Sequence, residues 1–333
     1  MMLHRCARAA KAAALIAFGV FISHAAWAQG WQPKKNVELV IPAGAGGSLD
    51  TTGRVIERIW QDLKVVPTPT SIVNRAGGGH AIAYGYMDTK AHDPNVVCIT
   101  SATILTNYIN GRLPYTYNHY TPLATMTSEY IALVVKADSP IKSAKDAIDM
   151  LRKNPQALSI GLSSALGGTH HLAVAMPFES AGIDVNKLKL VAFNSSSDAI
   201  TALMGGHLDL ISTSSSLVAP RVEDGTLRVI AVSSPERIPG VLANVPTWPE
   251  MGLKGVWRNW RGLIAARGIT KAQIAFWDHV LKSVATSKEF QDYAAKNKWA
   301  VDYRNHAQTA AFMKEQYKEI KALMTTLGFA KRK

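Results

Sequence analysis

Short apolar runs of four to six residues recur along this chain, and most end in a small, hydroxyl-rich loop that leads into an amphipathic helix. The runs lie at 37–41, 96–100, 130–135, 158–161, 188–193, 208–212 and 227–232. Helix-period patterns fall between them. One covers 50–63, with Val55, Ile56, Ile59 and Leu63 on one stripe; another covers 143–153, where Ser143 is placed to cap and Asp146 follows three residues on; a third covers 198–204. Alternation of this kind predicts an α/β fold with mainly parallel sheets flanked by helices. A proline-rich, loop-like stretch at 234–255 sets off a tail that offers mainly helices, one capped by Thr270 and one at 306–324, with a single strand at 262–265. Such a tail cannot form a compact lobe alone, so it is expected to pack back on the start of the chain. The expected division is lobe I at 31–131 and 232–333 and lobe II at 132–231, with two crossing strands as the hinge.

The N-terminus carries Arg5, Arg8 and Lys11, then an apolar run at 12–22, then Ala26-Trp27-Ala28 before Gln29. A positive region, an apolar region and a small-x-small cleavage site in that order predict a secretory signal over 1–28, cleaved near Ala28. The apolar run is too short for a membrane span, which needs ~20 residues. Cys6 precedes the apolar run and is badly placed to carry a lipid. The mature chain is therefore expected in the periplasm, with Cys98 its one cysteine, set in a strand-like run, and with no internal disulfide. The full chain has formal charge +13, of which Arg5, Arg8 and Lys11 account for three, leaving +10 on the mature protein. Its lysines and arginines are scattered, with none of the clustered stripe or aromatic interleaving that nucleic-acid binders show, so the expected partners are anionic solutes and not nucleic acid.

In open α/β sheets a ligand lies beyond the carboxyl ends of the strands, where helix N-termini present unpaired N–H groups. Five loops sit at such places. The first, at 42–50, reads Pro-Ala-Gly-Ala-Gly-Gly-Ser-Leu-Asp. Its glycines let the backbone amides around Ala45, Gly46 and Gly47 turn toward a solute, while Ser48 or Asp50 caps the next helix; a purely structural glycine turn is the alternative. A dinucleotide fingerprint would need a third glycine where Leu49 stands, and a phosphate-binding P-loop would need a Gly-Lys-Ser/Thr ending that is absent.

The second loop, at 100–107, offers Ser101 and Thr103 as neutral donors that would serve equally well as ordinary capping hydroxyls. The third, at 161–171, holds Ser163, Ser164, Gly167, Gly168, Thr169, His170 and His171. A serine nucleophile elbow would need glycine where Ala165 stands. Adjacent histidines project ~100° apart on a helix, so His170 and His171 cannot grip one metal from the same face, and at least one is structural. The fourth and fifth loops bring Asn194 and Ser195, and Ser214. These loops contain hydroxyls, amides and glycines but almost no charged side chains. Catalysis would require an acid pair, a cysteine–histidine pair or a metal cluster, and none is present. Binding needs only shape, desolvated donors and a closing motion, so the chain is expected to be a binding protein, with no cofactor and no metal.

These residues also resemble a known family. Val-Glu-Leu-Val-Ile-Pro-Ala-Gly-Ala-Gly-Gly-Ser-Leu-Asp at 37–50, with Arg54 after it, is similar to the opening of the Bug family, the extracytoplasmic solute receptors of tripartite tricarboxylate transporters. Further matches follow in the family's order: Val-Asn-Arg-Ala-Gly-Gly-Gly at 73–79, Leu113-Pro-Tyr115, Thr-His-His-Leu-Ala at 169–173, Leu-Met-Gly-Gly-His-Leu-Asp at 203–209, Gly-Thr-Leu-Arg-Val-Ile-Ala-Val at 225–232 and Val-Pro-Thr at 245–247. The resemblance implies a two-lobed Venus-flytrap binding protein of the type II periplasmic class. It further implies that the chain closes as a monomer on a di-, tri- or aromatic carboxylic acid and hands it to membrane permease subunits. A solute-sensing accessory to a membrane sensor kinase is the alternative.

The resemblance places a carboxylate on Gly46, Gly47, Ser48 and Asp50, and on Gly168, Thr169 and His170, with His171 as the family's helix histidine. It departs where the family carries Pro-Tyr-Lys-Gly-Ser and this chain reads Ala192-Phe-Asn-Ser-Ser196, so that Asn194 stands in place of a lysine. The expected ligand contacts are therefore Ala45, Gly46, Gly47, Ser48, Asp50, Ser101, Thr103, Ser164, Gly168, Thr169, His170, Asn194, Ser195 and Ser214.

Overall fold

The computed structural model describes residues 30–331; the expected leader at 1–28 and its cleavage point lie outside the described residues. β1 (Val37–Ile41) feeds α1 (Ser48–Asp62), followed by β2 (Thr70–Asn74), α2 (Ala81–Asp88), β3 (Val96–Ser101), α3 (Thr103–Ile109) and the long β4 (Thr121–Lys136). The middle of the chain adds α4 (Ala144–Lys153), β5 (Ser159–Leu162), α5 (Thr169–Ser180), β6 (Lys189–Ala192), α6 (Ser196–Met204), β7 (Leu210–Ser214), α7 (Ser215–Glu223) and β8 (Leu227–Val232). The tail adds β9 (Arg258–Ala265), α8 (Lys271–Thr286), α9 (Lys288–Lys296), β10 (Ala300–Arg304) and α10 (His306–Thr326).

The strands stand in the order β2-β1-β3-β9-β4-β7-β5-β6, with β10 and β8 also on β4. β4 joins the two halves of the sheet. Its residues 121–130 pair β9, and its residues 131–136 pair β7 and β8. Register shifts at Pro122/Ala124, Thr125/Thr127 and Leu133/Val134 bend it along the way. β1 runs parallel to β2 and β3, and β5 to β6 and β7, as helix crossovers require. β4 and β9 are antiparallel to every strand they touch. The sheet is thus mixed where the alternation predicts mainly parallel pairing.

The apolar pattern reaches only the second half of β4, because Thr121-Pro-Leu-Ala-Thr-Met-Thr-Ser-Glu129 is polar enough to read as loop; lying between β9 and β10 makes it strand. The tail likewise holds two strands, β9 and β10, where one was expected.

Ile56, Ile59 and Trp60 of α1 are fully buried in one cluster with Val37, Leu39, Ile41 and Trp277. Each such side chain contributes ~2 kcal/mol through area removed from water. Leu63, expected on this stripe, sits at the helix end and is 45% exposed; Trp60 takes its place. Cys98 is buried and unpaired in β3, and burial pushes its thiol pKa up. Ile238, Leu242 and Val245, from the proline-rich stretch, pack with Val134, Leu203, Ile211 and Val218. No helix among the described residues is long and apolar enough to cross a membrane.

Candidate functional site

The first loop turns between β1 and α1 at Gly46, whose φ of 75° lies in the left-handed region that glycine adopts without strain. Asp50 holds the turn from beneath. Its carboxylate accepts from Gly46 N–H and Arg54 Nε at 2.9 Å each, and from Asn74 Nδ2 at 2.9 Å; the same Asn74 amide donates to Ala43 O. Burial by itself would raise the Asp50 pKa, but the hydrogen bonds from Arg54, Asn74 and Gly46 outweigh it and hold the carboxyl below its usual range. Neither Ser48 nor Asp50 caps α1 as expected. The N-cap is Gly47, and no side chain caps the helix.

Across from it, β5 ends in the loop that opens α5. Gly167 has φ 71°, and Gly168 is the N-cap, again with no side-chain cap. A Cβ on Gly168 would stand 2.8 Å from Ala165 O and 2.9 Å from Ser164 Oγ, so the loop closes this tightly only on glycine. Gly167 N–H donates to His171 Nδ1 at 2.7 Å, which makes His171 a brace for its own loop. His170, one position earlier, faces elsewhere.

The two loops line one narrow cavity, and the first also bonds to the segment that opens α6. Ser197 Oγ donates to Gly46 O at 2.7 Å, and Gly44 N–H donates to Asn194 O at 3.4 Å, both across the seam. The cavity between them is lined by Gly47, Ser48 and Leu49 from the start of α1, Ser163, Ser164, Thr169 and His170 from around α5, and Asn194 and Ser195 before α6. His80, Ser101, Thr103 and Asn259 complete its polar wall. The space is about 20 Å³, little more than a water needs, beside an adjoining groove of about 270 Å³ that shares His80, Ser164 and Asn194. No lysine, arginine, aspartate or glutamate lines the narrow cavity, and Arg112 lines the adjoining groove.

Its polar atoms divide into used and unused. Thr103 Oγ1 bonds His80 Nδ1 at 2.8 Å and also Ser101 Oγ, Ser164 Oγ accepts from His170 N–H at 3.4 Å, and Ser195 Oγ caps α6 by accepting from Asp198 N–H at 3.1 Å. Ser163 Oγ, Thr169 Oγ1 and both ring nitrogens of His170 are buried without a partner. Burial lowers the His80 pKa to about 4; burial, then the neighbouring His80, lowers that of His170 to about 3. Both rings are neutral at pH 7 and can both donate and accept.

Behind the cavity lies a buried ion pair. Arg261 of β9 and Glu129 of β4 are fully buried against each other; Arg261 also donates to Thr52 Oγ1 at 3.3 Å and to Ser214 Oγ at 3.2 Å, and Glu129 accepts from Ser216 and from Asn259.

Of the expected contacts, Gly47, Ser48, Ser101, Thr103, Ser164, Thr169, His170, Asn194 and Ser195 line the cavity. Ala45, Gly46, Asp50, Gly168 and Ser214 do not. Gly46 spends its N–H on Asp50 and its carbonyl on Ser197, Gly168 shapes the turn, and Ser214 serves Arg261. Sequence reasoning missed His80 and Asn259, and left Ser163 of the third loop out of the expected contacts. His80 directly follows the glycines at 77–79, a signal that was in view; nothing local marks Asn259.

Residues 61–329 match the family model described as tripartite tricarboxylate transporter family receptor. The chain belongs to this receptor family. A curated relative from Cupriavidus necator, the UPF0065 protein in the gbd 5′ region, is 28% identical over 98% of each chain. Among solved structures, Rpa4515 of R. palustris with adipate is similar at a TM-score of 0.81 and 24% identity, over 90% of this chain and 99% of that one. MatC from Rhodopseudomonas palustris with bound malate is similar at a TM-score of 0.78 and 21% identity, over 87% and 99%. This receptor-family chain therefore has the two-lobed α/β binding-protein fold expected from its strand–helix alternation and its family resemblance.

Proposed function

We propose that this chain is a periplasmic solute receptor that captures a small carboxylate between its lobes and delivers it to the membrane subunits of a tripartite tricarboxylate transporter, catalysing no reaction. One observation carries the reading: Ser163 Oγ, Thr169 Oγ1 and both His170 nitrogens are buried and unpartnered in a cavity onto which two helices open without side-chain caps. A carboxylate there meets peptide dipoles and neutral donors in place of a cation. The malate and adipate bound by the two similar structures belong to that chemical class.

A space of about 20 Å³ is too small for such a molecule, and on this reading the lobes part to admit it and close over it. The bent β4 is one crossing. We place the second crossing after Thr247 and not at 232, because Ile238, Leu242 and Val245 pack with lobe II.

Thermal denaturation of the mature protein tests this. A ligand at 100 times its Kd adds about 2.7 kcal/mol to the native state, which raises Tm by several degrees. Malate, adipate, citrate or an aromatic diacid is expected to do so, and neutral sugars are not. A shift with sugars and none with any carboxylate would end the proposal.

A further inference from the structure

A second cavity, of about 400 Å³, lies on the far side of the loop that opens α5. Asn110 and Arg112 after α3, Gly167 and His171 on the loop and helix, and Phe329 and Lys331 in the tail border it, and Arg112 also lines the groove that adjoins the interlobe cavity. His170 and His171 are adjacent on α5, so one ring faces the interlobe cleft and the other faces this space.

Three buried polar atoms here have no partner: Asn110 Nδ2, Arg112 Nη1 and His171 Nε2. All three are donors. The Arg112 N–H donates to Asn110 Oδ1 at 3.2 Å, which assigns the amide nitrogen to the free side. Gly167 N–H donates to His171 Nδ1, so that nitrogen carries the lone pair and the proton of the neutral ring sits on Nε2. Burial, then the Arg112 charge, lowers the His171 pKa to about 4, which keeps the ring in that neutral form at pH 7.

Lys331 adds an ammonium at the rim, and no aspartate or glutamate lines the space. The tail is held in place from both sides: Lys331 N–H donates to Ile109 O at 2.9 Å, and Phe329 packs on the His171 ring at 4.4 Å between centroids. Buried donors without acceptors are costly, and three of them on one cavity with two cations call for a single acceptor-rich anion. We propose that this cavity is a second binding site, separate from the interlobe cleft, for a small oxyanion of the carboxylate or phosphate kind.

The inference does not depend on what the cleft binds. Its test is calorimetric titration of inorganic phosphate, and separately of acetate, at constant ionic strength into the wild-type mature protein and three variants. Saturable binding of at least one probe is expected in wild type and in the cleft variant His170→Phe. It weakens about ten-fold or more in Arg112→Gln, as loss of a charged hydrogen-bonding partner implies, and a few-fold in Lys331→Gln, whose exposed side chain leaves folding unaffected. The probe that binds separates phosphate from carboxylate. Absence of saturable binding of either probe, unchanged affinity in Lys331→Gln, or loss of binding in His170→Phe would overturn the proposal; the second result would put the anion in the groove that shares Arg112, and the last would put it in the cleft.

Discussion

The helices of this protein begin in two ways. α4, α8 and α10 each start at a residue whose side chain closes a capping box, Ser143 with Asp146, Thr270 with Gln273 and Asn305 with Gln308, and Ser287 caps α9. α1 and α5 start at Gly47 and Gly168, which have no side chain to offer, and α2, whose N-cap His80 lines the cavity between them, also lacks a side-chain cap. A cap contributes about 1 kcal/mol. Forgoing an N-cap side chain on both walls of one cavity leaves first-turn amides there available to a solute, apart from His170 N–H, which Ser164 Oγ accepts, whereas the capped helices have already used theirs on the protein. α6 shows the rule from the other side: it starts at the seam, but Ser195 caps it, and its contribution is the Cβ that packs against Gly44 and Gly47.

Acid should separate the two regions most strongly. Burial holds His80, His170 and His171 at pKa values of about 4, 3 and 4 in the folded protein, while the unfolded chain takes up the same protons near 6.5. Stability from these rings is fully present above about pH 6.5. It falls as pH drops from there toward 4, by on the order of 2–3 kcal/mol per histidine, because the unfolded state then binds more protons. Urea unfolding at pH 7 and pH 4.5 should show the loss, and His170→Gln should lose less on acidification than wild type. Equal losses would mean that the ring is not held neutral.

Gly168→Ala comes next. Its Cβ must displace Ala165 O or Ser164 Oγ, at a cost of about 1–3 kcal/mol, and should weaken binding of any stabilising carboxylate at least ten-fold. The smallest effect is expected from Asn305→Ala, which should cost about 1 kcal/mol and leave that affinity unchanged. If Asn305→Ala impaired binding while Gly168→Ala cost only stability, the contrast between the two kinds of helix start would be broken.

The caps at Ser143 and Thr270 were legible because an N-cap and its partner three residues on are local chemistry. So were the glycine loops and most of the cavity's hydroxyls, which stand directly after apolar runs. Asp50 was placed in the right loop with the wrong task, since a sequence does not tell whether a carboxylate turns toward a solute or back toward Gly46, Arg54 and Asn74. His80 was missed because it enters the cavity through a left-handed turn, at φ 77°, that only its packing against Thr103 reveals.

What the sequence determined alone is the set of local devices: period, caps, and glycines where the backbone must turn tightly. Those depend on residues within a few positions of one another. The tertiary structure decided which loops face each other, that the polar half of β4 is a strand, and that Asn259, Arg261 and Glu129 stand behind the cavity. Those outcomes depend on pairings between residues more than a hundred positions apart, and the energy that selects them resides in the contact and not in either partner's surroundings along the chain.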